Sequence, residues 1–286
     1  MKKKIVAVAA ACALAISAFA LAGCSNSGGS SSSSASSSAA ESTLDLGEGF
    51  KLTVGFDNSY PPYGFIGEQG EYTGLDLDLA AAVAEMNGWE FVAEPIDWDA
   101  KDALLEQGNI NCIWNGFTME GREDKYTFSD PYMLNEQVIV VKADSGINNF
   151  ESLAGKVVIT QIDSAALDVL EGDQASLAGT FNRLDTISDY NNAFMQLQAG
   201  NVDAVACDLS IAAYQIAANP DAYVQLDEPL SSEHYAVGFS KSADGEQLAK
   251  KVNESLAALV ASGQAREICE KYAEYGVDYD ANWVLK

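Results

Sequence analysis

Leu105-Glu-Gln-Gly-Asn-Ile-Asn-Cys-Ile113 and Leu197-Gln-Ala-Gly-Asn-Val-Asp-Ala-Val205 share one pattern, L-x-x-G-N-[I/V]-[N/D]-x-[I/V]. Each reads as the last turn of a helix, a glycine stop and a buried strand. Helix-glycine-strand joints recur by chance in α/β chains, but two copies of this one point to two comparable lobes, around residues 110 and 205. Ligands of open α/β sheets bind beyond the carboxyl ends of the strands. In the first copy that position holds Trp114-Asn115-Gly116-Phe117-Thr118, and in the second it holds Asp208. Two such edges facing across a cleft would make one site.

Outward from these joints, strands and helices alternate. Apolar strand patterns fall at 50–56, 91–93, 112–114, 137–141, 157–160, 202–207 and 236–240. Helical patterns fall at 76–86, 100–107, 165–170, 190–199, 209–218, 246–262 and 265–275. The alternation predicts an α/β fold with mostly parallel sheets flanked by helices.

The N-terminus fixes the compartment. Lys2, Lys3 and Lys4 precede an apolar run over residues 5–22, the layout of a secretory signal peptide. The run is also nearly long enough for a retained membrane anchor. Leu21-Ala22-Gly23-Cys24 decides between the two, because it resembles the bacterial lipobox, in which the cysteine is acylated and becomes the mature N-terminus. Residues 25–43 are almost only Ser, Ala and Gly, a tether whose r.m.s. span is on the order of 25 Å.

Removing the signal leaves 13 basic against 42 acidic residues. That balance excludes nucleic acid as a partner, since phosphates require Lys and Arg, and otherwise reads as solubility. Cys112, Cys207 and Cys269 remain, widely spaced and with no CxxC pair. No metal site follows from them, and buried free thiols are expected.

From Leu52 to about Tyr275 the chain resembles the extracellular solute-binding proteins of family 3, which serve ABC transporters of polar amino acids. The resemblance rests on Val54-Gly-Phe-Asp57, Tyr60-Pro-Pro-Tyr63, Gly74-Leu-Asp-Leu-Asp78, Arg122 ahead of Phe128-Ser-Asp-Pro-Tyr132, Leu153-Ala-Gly-Lys156, and Gly200-Asn-Val-Asp-Ala204 with Asp208, all in family order. It implies a type II periplasmic-binding-protein-like fold with two crossing strands, placed at 137–141 and 234–240. The organisation it implies is a signal peptide at 1–23, an acylated Cys24 and tether at 24–46, a first lobe at 47–139, a second lobe at 140–234, and a return to the first lobe at 235–286.

The site follows from the chemistry of a free amino acid, which needs a cation, an anion and a shaped pocket. Arg122 carries the fork that matches a carboxylate; alone it would read as a surface charge, but the resemblance makes it the grip on the α-carboxylate. Asp208 reads as the N-cap of the helix at 209 or, by the resemblance, as the acceptor of the α-ammonium. By the resemblance Thr118 would supply the hydroxyl of the carboxylate site, although Phe117-Thr-Met-Glu-Gly-Arg122 is one residue shorter than the usual S-x-T-x-x-R spacing, while Asn115 is placed in the side-chain pocket and Gly116 among the ligand-binding residues. Tyr60 and Trp98 read either as core or as walls of the pocket, with Tyr63 and Trp114 behind them, and Asp57 either faces the ligand side chain or turns away.

In the second lobe Ile159-Thr-Gln-Ile-Asp-Ser164 stands where the family carries Gly-Val-Gln-x-Gly-Ser/Thr, so Asp163 replaces a glycine. Ser164 and the Ala165 amide could still meet a carboxylate there. Asp76 and Asp203 read as turn and capping residues. The implied partners are a small amino acid, a membrane permease and, through Cys24, the outer face of the bacterial cytoplasmic membrane. The implied protein is a monomeric importer component with no cofactor and no catalysis. The competing readings are a ligand-sensing lipoprotein and a dehydratase on the same fold. His234 is the single histidine, and no GxSxG, HExxH or phosphate-binding loop is present.

Overall fold

The computed structural model describes Ser42 and residues 44–286. The signal peptide, Cys24 and most of the tether lie outside the described residues. Strand β1 (Lys51–Phe56) alternates so that Leu52, Val54 and Phe56 are fully buried. A small antiparallel sheet follows, made of β2 (Ser59–Tyr60), β3 (Gly64–Ile66) and β4 (Tyr72–Thr73). Next come α1 (Leu75–Asn87), β5 (Glu90–Pro95), α2 (Lys101–Glu106), β6 (Cys112–Ile113) and β7 (Tyr126–Phe128). The middle of the chain supplies β8 (Met133–Lys142), β9 (Val157–Gln161), α3 (Ala165–Glu171), α4 (Ala175–Ala178), β10 (Arg183–Ile187) and α5 (Tyr190–Ala199). It continues through β11 (Ala204–Asp208), α6 (Leu209–Ala218), β12 (Tyr223–Gln225) and β13 (Ser231–Tyr235). The last stretch is β14 (Gly238–Ser240), α7 (Ala243–Ser262), α8 (Gln264–Glu270) and α9 (Tyr279–Asn282).

The two glycine joints behave alike. Gly108 has φ 72° and Gly200 has φ 74°, the left-handed conformation that ends a helix without a Cβ penalty. Each chain segment then enters a buried strand, β6 or β11. Asp189 caps the other end of α5, accepting from the Asn192 amide.

The first sheet has the order β5-β1-β6-β14-β7 and the second β10-β9-β11-β8-β12, with β13 also on β8. The expected parallel pairs are present, β1 with β5 and β6, and β9 with β10 and β11. The strands that carry the chain between sheets add antiparallel pairs: β14 on β6 and β7, and β8 on β11, β12 and β13. Both sheets are therefore mixed. Strands β10, β12 and β13 escaped the sequence reading because segments such as Arg-Leu-Asp-Thr-Ile and Ser-Ser-Glu-His-Tyr hold too few apolar residues to show alternation.

Along β8 and β11 both faces are buried. Val138, Val140, Val205 and Cys207 join one core cluster, while Ile139, Val141, Ala204 and Ala206 join another. That is the signature of a sheet covered by helices on both sides. Helix α7 brings the C-terminal segment back against α1 and β14. Cys112, Cys207 and Cys269 are free and buried.

The chain changes sheets between β7 and β8, and again between β13 and β14. Between these points the first half of β8 and all of β13 form an antiparallel ribbon, with Met133 opposite Tyr235 and Gln137 opposite Ser231. The apolar run at 137–141, read from sequence as a crossing strand, pairs along its whole length with β11 of the second sheet. Its continuous hydrophobicity reflects that burial. The ribbon beside it alternates instead, with Asn135 and Gln137 buried, Leu134 exposed and Glu136 half-buried.

Candidate functional site

The ribbon builds the centre of the site by register. Glu233 of β13 stands directly opposite Asn135 of β8, and Asp208 at the end of β11 stands opposite Gln137. Paired positions on one sheet face bring their side chains together. The Gln137 amide nitrogen donates to Asp208 Oδ1 at 2.6 Å and to Glu233 Oε1 at 2.8 Å. The Asn135 amide nitrogen does the same at 2.9 and 2.8 Å. Tyr235 donates its hydroxyl to Asp208 at 3.0 Å, and Thr118 donates to Glu233 at 2.7 Å. Two carboxylates, 4 % and 3 % exposed, thus share neutral donors. Among the described residues no basic side chain pairs with either.

Burial dominates their titration. It raises the Asp208 carboxyl above its ordinary range against the pull of its hydrogen bonds. Burial and then the neighbouring Asp208 charge push Glu233 up to about 7. Asp208 starts α6, yet its side chain makes no capping bond. Its carboxylate is turned into the ribbon.

A second polar cluster lies between loops of the first sheet and the start of α3. Arg122 reaches Asp168 at 2.8 Å through Nη2, and its guanidinium sits 5.0 Å from the Phe117 ring centroid. The Asp163 carbonyl accepts from Trp98 Nε1 at 3.1 Å, from Lys101 Nζ at 3.4 Å and from Arg122 Nη2 at 3.4 Å. Asp163 itself has φ 54°, a left-handed conformation that aspartate adopts more readily than most residues. Its carboxylate turns toward Lys101, at 3.5 Å. Nearby, the Gln161 amide donates to Asp57 at 2.7 Å. Asp57 therefore faces the second sheet and is buried, which raises its carboxyl above the ordinary range.

Arg122, Thr118 and Ala165 line one cavity of about 820 Å³ together with Lys101, Asp163 and Glu233. The other residues read from sequence do not line it. Tyr60, Gly116 and Asp208 meet behind Glu233, where the Tyr60 hydroxyl lies 3.3 Å from that of Tyr235. Gly116 has φ 56°, and a Cβ there would come within 3.0 Å of Tyr60 and 3.2 Å of Tyr235. Any side chain there would be strained and would crowd both rings. Asn115 is buried, and neither polar atom of its amide has a partner among the described residues. Trp98 is held by the Asp163 carbonyl with its ring edge-on to Phe117. Ser164 caps α3, accepting from the Leu167 amide at 3.1 Å. Thr118 is present as expected, but its hydroxyl is directed at Glu233. Tyr63 and Trp114 are core.

Asp76 departs from its expected capping role. Gly74 is the N-cap of α1, and Asp76 is fully buried, accepting from the Gly116 amide at 2.5 Å and from the Tyr132 hydroxyl at 2.8 Å. Burial pushes it up to about 7 against those bonds. It holds the Trp114–Thr118 turn in place from behind. Asp203, by contrast, accepts from the Val157 amide at 2.8 Å. Sequence reasoning missed Glu233, Asn135, Gln137, Tyr235 and Lys101. The alternation of Leu134-Asn-Glu-Gln137 beside an apolar run was the available signal for two of them.

The family model for bacterial extracellular solute-binding proteins, family 3, matches residues 52–275. The L-cystine-binding protein TcyJ of Escherichia coli is 29% identical over 230 residues, covering 79% of this chain and 83% of that protein. An ABC uptake transporter substrate-binding protein from Streptococcus pneumoniae, solved with bound histidine, superposes with a TM-score of 0.74 at 35% identity over 78% of this chain and 92% of that one. The ancestral amino acid-binding protein AncCDT-1, described as a precursor of cyclohexadienyl dehydratase, superposes with a TM-score of 0.70 at 29% identity over 78% of this chain and 95% of that one.

Proposed function

Because the chain belongs to the bacterial extracellular solute-binding proteins of family 3, we propose that it captures a polar amino acid between two lobes and presents it to the permease of an ABC importer. The first lobe would carry the β1 sheet and the C-terminal return, and the second the β9 sheet, hinged at the β8–β13 ribbon. The protein would act outside the cell, held to the bilayer through Cys24. The observation that carries this reading is the buried carboxylate pair at Asp208 and Glu233, which has no basic partner among the described residues and adjoins a cavity lined by Arg122.

In this reading the α-ammonium goes to Asp208 and the α-carboxylate to Arg122, which exchanges Asp168 for the ligand. Tyr60, Gly116, Asn115 and Trp98 shape the surrounding wall. A ligand that touches both lobes binds the closed state better than the open one and shifts the population toward closure. Hydrogen bonds to charged groups contribute about 1.5–3 kcal/mol each. Two or three of them with partial burial of the side chain reach micromolar affinity, about −8 kcal/mol. Isothermal titration calorimetry of a panel of L-amino acids tests this. Arg122→Ala and Asp208→Ala are each expected to weaken the preferred ligand at least a hundredfold; if both variants bind it as tightly as the parent, the site assignment is wrong.

A catalytic reading would rest on Glu233, a buried carboxyl on the cavity wall that burial raises above its ordinary range, as general acid work requires. Conversion of the captured ligand to a product by the purified protein would support it, and recovery of the ligand unchanged would remove it.

A further inference from the structure

We propose that Glu233 is a second cation acceptor in the pocket, so that the preferred ligand carries a second positive charge beyond its α-ammonium. The inference rests on the amino acid-binding reading above and narrows its ligand class to diamino or guanidino amino acids, whether a basic side chain or a second α-ammonium supplies the charge.

The argument is one of charge and hydrogen-bond supply. Asp208 and Glu233 are both buried, and both draw on the same two amide nitrogens, those of Asn135 and Gln137. The other donors to the pair are also neutral: the hydroxyls of Thr118, Tyr235 and Tyr60 and the Asp208 backbone amide. Neutral donors do not cancel two like charges held this close in a water-poor site. The three basic groups on the cavity wall are already engaged, Arg122 with Asp168, Lys101 with Asp163 and Lys125 with Asp102. One ligand ammonium would satisfy Asp208 and leave Glu233 neutralised only by a proton, a place that a second ligand cation can take. The Glu233 bonds run to Oε1, and the residue also lines the cavity, so an incoming cation can reach it. Gln137 supplies an independent sign of a missing partner: it is fully buried, and its Oε1 accepts from nothing among the described residues.

The test is calorimetry of the full mature chain with L-lysine, L-arginine, L-cystine and L-glutamine. The parent is expected to prefer at least one of the first three over glutamine by tenfold or more. A basic side chain as the source puts lysine or arginine first, and a second α-ammonium puts cystine first. Glu233→Gln is expected to collapse that preference to less than threefold while the protein still melts cooperatively. A parent that prefers glutamine, or a Glu233→Gln variant that keeps the tenfold preference, overturns the proposal and leaves amino acid binding intact. Failure of the parent to bind any of a full amino acid panel would instead sink the binding reading itself. The parent's ranking needs no variant, so a misfolded Glu233→Gln does not rescue the idea.

Discussion

The two polar clusters between the sheets are opposites. The inner one, Asp208 and Glu233 with Asn135, Gln137, Tyr235 and Thr118, is deeply buried and holds acids with no base. The outer one, Arg122 and Lys101 with Asp163 and Asp168, pairs every cation with a carboxylate, and its two aspartate side chains are 47 % and 60 % exposed. Buried charge without a counter-charge is costly, while exposed ion pairs contribute little either way. Without a ligand the inner cluster relieves its charge by holding a proton, whose place a cation from outside can take, and the outer cluster is complete without one. In the proposed reading the inner group takes the ligand's positive charge, while the outer group joins the two sides until Arg122 exchanges Asp168 for the ligand carboxylate.

Several changes would break or sharpen that contrast. The largest effect belongs to Asp208→Asn, which removes the ammonium's acceptor charge yet keeps the shape. Ligand affinity by calorimetry is expected to fall at least a hundredfold, about 3 kcal/mol, while thermal stability of the ligand-free protein rises because a buried charge is gone. Equal losses of affinity and stability would mean that Asp208 is structural.

Next comes pH. Glu233 and Asp76 both have folded-state carboxyls near 7, above their ordinary values of 4.5 and 3.8. The native state thus holds protons that the unfolded chain has already released, so the stability of the ligand-free protein falls as pH rises from about 4 to 7 and levels off above. Melting temperatures from pH 5 to 8 read it, and Glu233→Gln should flatten part of the slope; a melting temperature that climbs with pH over that window contradicts the burial argument.

Asp76→Ala strands the Gly116 amide and the Tyr132 hydroxyl in the core. It should cost about 2–3 kcal/mol in urea unfolding, and a loss below 0.5 kcal/mol would show that the turn at Trp114–Thr118 holds itself. The smallest effect is expected in the outer cluster, where Asp168→Ala removes a half-exposed pair worth at most about 1 kcal/mol. Ligand affinity should move less than fivefold; a hundredfold loss would make Asp168 itself part of recognition.

Much of this was legible in the chain. The paired glycine joints marked both lobes, because a helix stop followed by an apolar strand is a local signal that burial amplifies. Asp208 was legible for the same reason, standing at the end of an apolar run. Glu233 was not, because β13 reads Ser-Ser-Glu-His-Tyr and owes its strand conformation to pairing with β8, a contact a hundred residues away in the chain. The hydrophobicity at 137–141 reports burial inside the second sheet and carries no signal of the preceding half of β8 that pairs with β13. Asp76 looked like a first-turn aspartate of α1, and only the distant Gly116 amide and Tyr132 hydroxyl reveal what it holds. Asp163 looked like a liability in place of glycine; its backbone adopts the glycine-like conformation, and its carbonyl gathers three donors.

The most direct test is a crystal structure of the protein with the amino acid it retains through purification. The account predicts the α-ammonium at about 3 Å from Asp208 and a second cationic group at the same distance from Glu233, with the α-carboxylate on Arg122. A ligand whose ammonium lies away from the Asp208–Glu233 pair, with both carboxylates still bonded only to Asn135, Gln137, Thr118 and Tyr235, would contradict it.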